Sequence, residues 1–312
     1  MAEGNDTLVS EFIILGLTDN FILRIFLFMF FLVVYVVTVL GNFSIITLIG
    51  VSSQLHTSMY HFLSHLAFID FWYSSTVTPK MLQGFLVERN TISFAGCAAQ
   101  LCSVFVFGTS EGILLAMMAY DRYVAICNPL LYAISMSSKV CVQLIAASYL
   151  GGCLNGMLFT TFVFSLAFCG PNEINHFFCD VPVLMELSCS DIHLVQILSS
   201  ISAAIIILST VLTVVISYVY ILIAIMRIQA SDGRQKAFST CTSHLTAVIL
   251  YYGTLAFTYM QPSSSHSLEQ NKVVSLFYTV VIPMLNPLIY TLRNKDVKGV
   301  VIKIMGKNVC FL

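Results

Sequence analysis

Residues 25–69 read IFLFMFFLVVYVVTVLGNFSIITLIGVSSQLHTSMYHFLSHLAFI, which is 45 residues without an Asp, Glu, Lys or Arg. A transmembrane helix needs about 20 apolar residues, because each residue adds about 1.5 Å to its length. The run is therefore long enough to cross a bilayer twice, and the polar segment 52–58 interrupts it. This stretch predicts two membrane helices joined by a short turn.

The remainder of the chain repeats this pattern of long uncharged runs. The third helix is expected to continue past Glu111 and to end near Asp121 and Arg122. Four more helices are expected at roughly 140–165, 193–227, 236–260 and 273–292. The sequence therefore predicts an all-α membrane protein, a bundle of seven transmembrane helices. The uncharged runs after the first are 90–110, 123–138, 140–172, 192–226, 237–268 and 273–292.

The composition of the 312 residues supports a membrane protein and excludes other classes. Hydrophobic residues make up 58% of the chain and charged residues only 9%, whereas soluble domains have about 25% charged residues. So few charges exclude a cytosolic enzyme and a disordered protein. The net charge of -1 also argues against nucleic acid as a partner, because nucleic-acid binding needs a basic excess.

The basic residues orient the predicted bundle. Ten of the 14 Lys and Arg lie at alternate helix ends together with the C-terminal tail, and the positive-inside rule makes that face cytoplasmic. Residues 1–24 are then an extracellular segment, 25–292 the bundle, and 293–312 a cytoplasmic tail that contains a short helix. The sequon at Asn5 lies on the outer side, where it is a glycosylation candidate. The ten basic residues are Arg122, Lys139, Arg227, Arg234, Lys236, Arg293, Lys295, Lys298, Lys303 and Lys307.

Four of the ten cysteines lie on the predicted outer side, which is oxidising. They are Cys97, at the outer start of helix three, and Cys169, Cys179 and Cys189 in the outer loop 166–192. Four cysteines allow three pairings. Geometry favours Cys97 with Cys179, which ties the middle of the loop to helix three, and leaves Cys169 to pair with Cys189. The remaining cysteines are interpreted as unpaired: Cys102, Cys127, Cys141, Cys153, Cys241 and Cys310.

Several ionisable residues fall inside the predicted spans, where they are costly and therefore mark functional sites. Asp70 and Glu111 lie at similar depth, and Asn286 is expected beside them. Two such carboxyl groups either bind a sodium ion or form a neutral hydrogen-bonded network with a shared proton. Arg122 keeps its charge, so it must extend to the interface, pair with Asp121 or contact another protein.

Two prolines fall in the seventh predicted helix. Pro283 and Pro287 interrupt it around Asn286, and each frees a backbone carbonyl. A static kink explains either proline alone. Together with Asn286 and Tyr290, they favour a hinge in a bundle that switches between two conformations.

The segment MAYDRYVAIC at 118–127 resembles the signature of olfactory receptors, a family of rhodopsin-like G-protein-coupled receptors. The resemblance continues in order over nearly the whole chain. The loop pattern of Cys169, Cys179 and Cys189 is also similar to the family's, and the family's usual pairing agrees with the one favoured above. The other matching segments are Gly41-Asn42, LHTSMY at 55–60, Ser217-Tyr218, KAFSTCTSHL at 236–245 and PMLNPLIY at 283–290.

Three positions depart from the family pattern, all at the cytoplasmic start of helix two. Ser58 stands where the family usually has proline, and His61 and His65 stand where phenylalanine and asparagine are common. These departures are expected to soften the start of this helix and to affect trafficking or coupling. They leave the outer half of the bundle untouched.

The resemblance implies a receptor for small, mostly apolar volatile molecules that couples to a stimulatory, olfactory-type heterotrimeric G protein and raises cyclic AMP. It implies the plasma membrane of the cilia of olfactory sensory neurons as its location, with lipids and a trafficking chaperone as further partners. No cofactor is required, and the ion considered is sodium at Asp70, Glu111 and Asn286. The residues assigned to switching and coupling are Asp121, Arg122, Tyr123, Tyr218, Lys236, His244, Asn286, Pro287 and Tyr290.

The ligand pocket is expected among the outer halves of the helices as an apolar cavity with a few polar groups. Helix three carries five suitable residues at i, i+1, i+4, i+5 and i+8, which share one helical face. The resemblance implies that this face lines the pocket, although plain helix packing explains each position equally well. The five are Val104, Phe105, Gly108, Thr109 and Gly112, and the facing residues are Ser202, Ala203, Ile206, Ile207, Tyr252, Leu255, Ala256, Tyr259, Leu276 and Thr279.

Other functions fit the sequence less well. Val104 and Val280 stand where amine receptors carry aspartate and opsins carry lysine, so neither a cationic amine nor retinal is expected. A receptor of the same superfamily for a small lipid or metabolite is the nearest alternative, and a transporter or intramembrane enzyme is more remote. Residues 108–112 fit the G-x-S-x-G pattern of hydrolases, but that motif needs a strand-to-helix turn and here lies inside an apolar helix. No enzymatic activity is therefore expected.

Overall fold

The computed structural model describes residues 9–169, 171–227, 231–260 and 268–293, together with Val297, Gly299 and Val300. Side chains at 231–233, 235–237, 239–240, 257–260, 268–270 and 291–293 lie outside the described set. Helices make up most of the described residues. They are α1 Phe21–Val51, α2 Ser58–Leu86, α3 Phe94–Cys127, α4 Tyr132–Ser135, α5 Ser138–Phe164, α6 Val181–Glu186, α7 His193–Arg227, α8 Ser231–Met260, α9 Leu268–Leu276 and α10 Ile282–Arg293.

In the described part of the chain, five helical segments are long and apolar enough to cross a membrane, so the chain is a multi-pass membrane protein. Helices α2 and α8 have 29 and 30 residues, the length of a span, but they are more polar. Both pack against the apolar helices, α2 on α1 and α3, and α8 on α3 and α10. The five segments are Phe21–Val51, Phe94–Cys127, Ser138–Phe164, His193–Arg227 and Asn271–Tyr290.

Helix α1 begins four residues before the uncharged run and includes Arg24 in its first turn. The side chain of Asn20 caps the helix by accepting from the amide of Leu23. The Arg24 guanidinium donates to the carbonyls of Phe85 and Val87 at the end of α2. A cation is favourable there because the carbonyls of a helix C-terminus carry partial negative charge. The charge at position 24 therefore joins two helix ends and does not delay the start of α1.

Helix α3 lies at the centre of the bundle, in contact with α2, α5, α7 and α8. Its approach to α5 depends on small residues. A Cβ atom on Gly156 would lie 2.6 Å from Val106 Cγ2 and 2.9 Å from the carbonyl of Cys102. At the same contact the buried Ser110 donates to the carbonyl of Ser148 at 3.2 Å. Small residues let two helix backbones approach closely, which is how membrane helices gain packing energy without a hydrophobic driving force.

The seventh long helical segment changes geometry before its prolines. A π-helical turn at Phe277–Val281 precedes α10, and α10 continues through Pro287. Pro287 has no amide hydrogen, so the carbonyl of Pro283 lacks its usual helical partner. Asn42 of α1 donates to that carbonyl at 3.0 Å, and a Cβ on Gly41 would lie 3.2 Å from Pro287 Cβ. Asn42 therefore satisfies the carbonyl that Pro287 leaves without a helical partner, and the small Gly41 leaves room for the Pro287 ring.

The end of the bundle that holds the loop 166–192 carries a small sheet that the sequence did not predict. Its strands are β1 Glu11–Ile14, β2 Thr91–Ser93 and β3 Glu173–Ile174, in the order β2-β1-β3. Strand β1 is antiparallel to β2 and parallel to β3. Strands of two to four residues are too short to show an alternating pattern in the sequence. The sheet fixes part of the segment 1–24 to the outer loop.

Both predicted disulfides are present in the outer loop. The Cα atoms are 5.6 Å apart in the pair Cys97–Cys179 and 5.9 Å apart in the pair Cys169–Cys189. The loop also contains β3 and α6, and the amide of Cys179 donates to Gln100 of α3 at 3.0 Å. We call the loop 166–192 together with the small sheet the outer lid. The other cysteines of the described residues are unpaired, and Cys310 lies outside them.

Candidate functional site

The predicted pocket residues of α3 all face the interior of the bundle. Val104 and Gly112 are buried, and Phe105, Gly108 and Thr109 are half-buried. Every residue of α3 from 100 to 119 is buried or half-buried, so these five positions lie inside the bundle together with the other faces of the central helix.

Helix α7 also turns its predicted pocket residues inward. All four are half-buried, whereas their neighbours on the other side of the helix are exposed. This division follows the helical period and orients α7 toward α3, which it contacts. The half-buried residues are Ser202, Ala203, Ile206 and Ile207, and the exposed neighbours are Ile201, Ala204, Ile205, Leu208 and Ser209.

Asn155 of α5 joins predicted pocket residues from two other helices. Its amide Nδ2 donates to Thr109 Oγ1 at 2.8 Å, and Ser202 Oγ donates to its Oδ1 at 3.0 Å. We call this chain of hydrogen bonds the Thr109–Asn155–Ser202 network. Asn155 was not predicted from the sequence because it carries no charge and so does not stand out among the ionisable residues. An amide inside an otherwise apolar span was the available signal.

Two tyrosines hold α8 to the same face of α3. Tyr251 donates to the carbonyl of Gly108 at 2.6 Å, and Tyr252 donates to the carbonyl of Gly112 at 2.8 Å. Glycine matters at position 112 because a Cβ there would lie 3.1 Å from the Tyr251 hydroxyl. At position 112 the Tyr251 hydroxyl thus lies beside the place of the missing side chain, whereas at position 108 that place is beside the Tyr73 hydroxyl.

The other residues predicted on α8 and beyond have mixed positions. Leu255 and Leu276 are half-buried and Thr279 is fully buried, in agreement with an inward orientation. Ala256 is exposed and does not share this inward orientation, so its place in the pocket stays a prediction. The side chain of Tyr259 lies outside the described residues.

Two small cavities in the described part of the chain lie away from these residues. One lies under the N-terminal segment, beside Phe85, Asn90 and Phe177, and has room for about one water molecule. Another lies between α1 and α10, beside Ile45 and Tyr290. At the predicted pocket the side chains pack against each other. Phe105, for example, stacks on Phe159 with ring centroids 5.3 Å apart.

The polar residues predicted in the middle of the bundle lie together. Asn286 Nδ2 donates to Asp70 Oδ2 at 3.0 Å and is 3.4 Å from Glu111 Oε1. All three side chains are buried. Glu111 Oε2 and Asn286 Oδ1 have no hydrogen-bond partner among the described residues. A cation or a shared proton would satisfy these oxygens, since a buried acceptor without a partner is costly.

The inner end of α3 is held by an unexpected partner. Asp121 accepts from Ser58 at 2.7 Å and from Tyr132 at 3.0 Å, and these two hydroxyls also contact each other. Burial and the Asp121 carboxylate raise the pKa of Tyr132 to about 12, so its hydroxyl stays protonated and donates. Among the described residues Arg122 forms no ion pair with Asp121. Ser58 therefore joins the start of α2 to α3 through Asp121, and the expected effect of this departure from the family pattern stays a prediction.

Helix α8 is joined to α7 and α3 near its inner end. His244 Nε2 lies 3.1 Å from the carbonyl of Leu115, and because a carbonyl only accepts, Nε2 must donate. His244 Nδ1 lies 2.7 Å from the hydroxyl of Tyr218, and the two rings stack with planes 7° apart. We call these contacts the Tyr218–His244–Leu115 latch. Tyr290 is also buried nearby, whereas the side chain of Lys236 lies outside the described residues.

The outer lid contains a buried histidine without a hydrogen-bond partner among the described residues. The ring of His176 packs between Phe177 and Phe178, with centroids 4.6 and 4.7 Å away. Burial, with a further contribution from the Lys272 ammonium, lowers the pKa of His176 to about 3. The ring is therefore neutral at physiological pH, as a buried imidazole beside a cation must be. The lid accordingly carries no charge at this histidine.

The fold and the site define a class of protein. It is a multi-pass helical membrane protein whose helices are joined by hydrogen bonds at several levels of the bundle.

Comparisons with known proteins identify the family. The family model described as olfactory receptor matches residues 31–308. Olfactory receptor 5P76 of Mus musculus is 59% identical over 308 residues, which cover 99% of this chain and 98% of the relative. Olfactory receptor 5P1 of Mus musculus is 60% identical over 298 residues, 96% of each chain. The chain belongs to the olfactory receptor family. It is therefore an odorant receptor, a signalling protein that couples to G proteins and not an enzyme.

Proposed function

We propose that this receptor binds small, mostly apolar volatile molecules in the outer half of a seven-helix bundle, and that binding activates a stimulatory, olfactory-type G protein and raises cyclic AMP. The observation that carries the proposal is the inward apolar face of α3 with the Thr109–Asn155–Ser202 network beside it. An apolar face with a few polar groups suits a neutral ligand that needs only orientation.

The proposed topology has seven spans, with the N-terminus and the outer lid outside the cell. The two disulfides support this orientation because they need an oxidising compartment. The basic residues at the opposite end support it through the positive-inside rule. The receptor then resides in the plasma membrane, in olfactory cilia by family resemblance, and Asn5, outside the described residues, is glycosylated. Exposed apolar side chains such as Phe26 and Phe30 of α1 contact the lipid.

The proposed ligand interaction is weak, as the size of a volatile molecule requires. Burial of roughly 250 Å² of ligand surface at about 25 cal/mol per Å² contributes on the order of 6 kcal/mol before the cost of association. Affinity is therefore micromolar or weaker. An oxygen on the ligand pairs with the second Asn155 amide hydrogen or with the Thr109 hydroxyl, which the network leaves available.

The polar residues Asp70, Glu111 and Asn286 are proposed to hold a sodium ion, with a shared proton as the alternative. The unpartnered oxygens of Glu111 and Asn286 support either occupant. Thermal stability of the purified receptor measured with sodium or with a large organic cation separates the two. A sodium-dependent increase that Glu111→Gln removes supports the ion, and equal stability in both salts excludes it.

The proposed switch is an outward movement of the inner end of α8. A ligand that contacts Tyr252 favours this movement only if it binds the moved conformation more tightly than the resting one. The movement breaks the Tyr218–His244–Leu115 latch and lets Arg122 contact Tyr218 and the G protein. The loop between α3 and α5 is the proposed docking surface, since Leu130 is 94% exposed there and Tyr132 in the same loop donates to Asp121.

A cyclic AMP reporter assay tests the proposal. The receptor is expressed with a trafficking chaperone and a stimulatory G protein and is screened against a panel of volatile compounds. We expect at least one compound to raise cyclic AMP. We expect Arg122→Ala to abolish the response at unchanged surface expression, because this guanidinium is the proposed contact with the G protein.

The matched control is Lys139→Ala, which removes an exposed positive charge from the start of α5. This variant should respond like the wild type. A wild-type response in Arg122→Ala would contradict the proposed switch, and a response through a G protein that lowers cyclic AMP would contradict the proposed coupling.

A further inference from the structure

Ser58 lies where two helices meet the loop between α3 and α5. It is the first residue of α2, and its buried hydroxyl donates to Asp121 Oδ1 at 2.7 Å. The hydroxyl of Tyr132, which belongs to that loop, donates to the same carboxylate oxygen at 3.0 Å and also contacts the Ser58 hydroxyl. One oxygen atom of Asp121 therefore joins both α2 and the loop to α3.

These two hydroxyls satisfy the Asp121 carboxylate without help from the neighbouring Arg122. Arg122 is also buried, yet among the described residues it forms no ion pair with Asp121. A buried carboxylate is costly unless hydrogen-bond donors or a cation accompany it. Since Ser58 and Tyr132 supply donors, the guanidinium is not needed for this purpose in the conformation that the structure shows.

Helix α2 does not need a serine at position 58 in order to begin there. The family usually has proline at this position, and proline suits the first position of a helix because the amide hydrogen there has no partner within the helix. Proline also has no hydroxyl, so it cannot donate to Asp121. The contribution that distinguishes Ser58 is therefore its hydrogen bond to another helix.

We propose that Ser58 is a positioning residue for G-protein coupling, because its hydroxyl bonds to Asp121 and so leaves Arg122 available to the G protein. The inference rests on the proposed function, in which Arg122 moves toward Tyr218 and the G protein. Without the Ser58 hydroxyl, Arg122 takes its place on Asp121 in the resting conformation. Activation must then break this ion pair and leave the buried carboxylate with one donor fewer, so the active conformation is less populated.

Basal and odorant-evoked cyclic AMP, measured in cells with equal surface expression, test the proposal. Ser58→Ala should lower basal cyclic AMP and raise the half-maximal odorant concentration, each by about 10-fold, as expected for the loss of one hydrogen bond to a charged group. Ser58→Thr keeps a hydroxyl at the same position and should rescue both values. The matched control Ser53→Ala removes an exposed hydroxyl from the turn before α2 and should behave like the wild type.

A double-mutant cycle separates positioning from an effect on folding. Asp121→Asn removes the charge that would hold Arg122, so adding Ser58→Ala to that variant should change odorant potency little further. An equal loss of potency in both backgrounds would overturn the proposal, as would unchanged or stronger signalling by Ser58→Ala alone. If the wild type raises cyclic AMP with no odorant and in no basal measurement, the proposed function fails and this inference fails with it.

Discussion

Single polar side chains connect the helices in the outer half of the receptor. The amide of Asn155 contacts Thr109 on one side and Ser202 on the other, so one residue links α5 to α3 and α7. Hydrogen bonds between membrane helices contribute only about 0.6 kcal/mol on average. The network is thus weak enough for a ligand to rearrange, which suits a site for ligand orientation.

Asn155→Leu tests this role at the residue scale. Leucine has similar size but no hydrogen-bonding group, so the network loses both bonds and a ligand oxygen loses a partner. An unsatisfied buried polar group costs about 1–3 kcal/mol. Potency for an oxygen-bearing odorant, relative to a hydrocarbon of the same shape, should therefore fall about 10-fold in concentration–response curves for cyclic AMP.

The control for this experiment is Thr161→Val on the same helix, because among the described residues the Thr161 hydroxyl bonds to the carbonyl of Met157 in its own helix and to no other group. This variant should keep the wild-type potency ratio. An unchanged ratio in Asn155→Leu at normal surface expression would contradict the proposed role of the network.

The sequence revealed the charged residues of the site more readily than the neutral ones. Asp70 and Glu111 stand out because a carboxyl inside an apolar run is costly, and Asn286 lies beside them as expected. The contact of Asp121 with Ser58 and Tyr132 was not predictable, because it depends on how three separate segments pack. Asn155 is uncharged, and its importance appears only when α3 and α7 are placed on either side of it.

At the scale of elements, α8 is the helix best placed to move. It contacts α3 through hydroxyls and an imidazole, namely Tyr251, Tyr252 and His244. The α3–α5 contact, by comparison, is close-packed through Gly156. Hydrogen bonds with a small net energy can exchange between two arrangements, whereas a close-packed contact resists displacement.

His244→Phe tests whether the inner contact of α8 holds the resting state. Phenylalanine keeps an aromatic ring beside Tyr218 but cannot donate to the carbonyl of Leu115. Loss of this hydrogen bond removes about 1 kcal/mol of stabilisation from the conformation in which the latch is closed. The equilibrium then shifts about 5-fold toward the conformation in which α8 has moved outward. Basal cyclic AMP without odorant should rise by a similar factor in cells with equal surface expression.

Thr242→Val is the matched control on α8, because its hydroxyl bonds only to the carbonyl of Phe238 in the same helix. It should keep wild-type basal activity. Basal activity that is unchanged or lower in His244→Phe would show that the latch does not restrain the receptor.

The sequence predicted the long helices, but it did not predict the short strands or the π-helical turn. Helix α7 has the predicted bounds, and α5 ends within one residue of its expected end, because an apolar run sets the length of a span. Strand β1 pairs with segments about 80 and 160 residues away in the sequence, so no local sequence pattern predicts it. The π-helical turn before α10 likewise depends on packing against neighbouring helices.

At the scale of the whole molecule, function depends on opposite ends of one bundle facing different compartments. The outer lid, with its disulfides, must face the outside to admit an odorant. The inner end of α3, with Arg122 and the exposed Leu130, must face the cytosol to meet a G protein. Whether the two ends face different compartments depends on α2 and α8. Both are long enough to span the membrane but are more polar than the other long helices. If either stayed outside the membrane, the chain ends would share one side.

The most direct test of this arrangement is therefore to measure on which side of the membrane each chain end lies. Epitope tags at the N- and C-termini are probed with antibodies in intact and then permeabilised cells that express the receptor at the plasma membrane. We predict that the N-terminal tag is accessible in intact cells and the C-terminal tag only after permeabilisation. Accessibility of both tags, or of neither, in intact cells would contradict a seven-span receptor that links an outer odorant site to a cytosolic G protein.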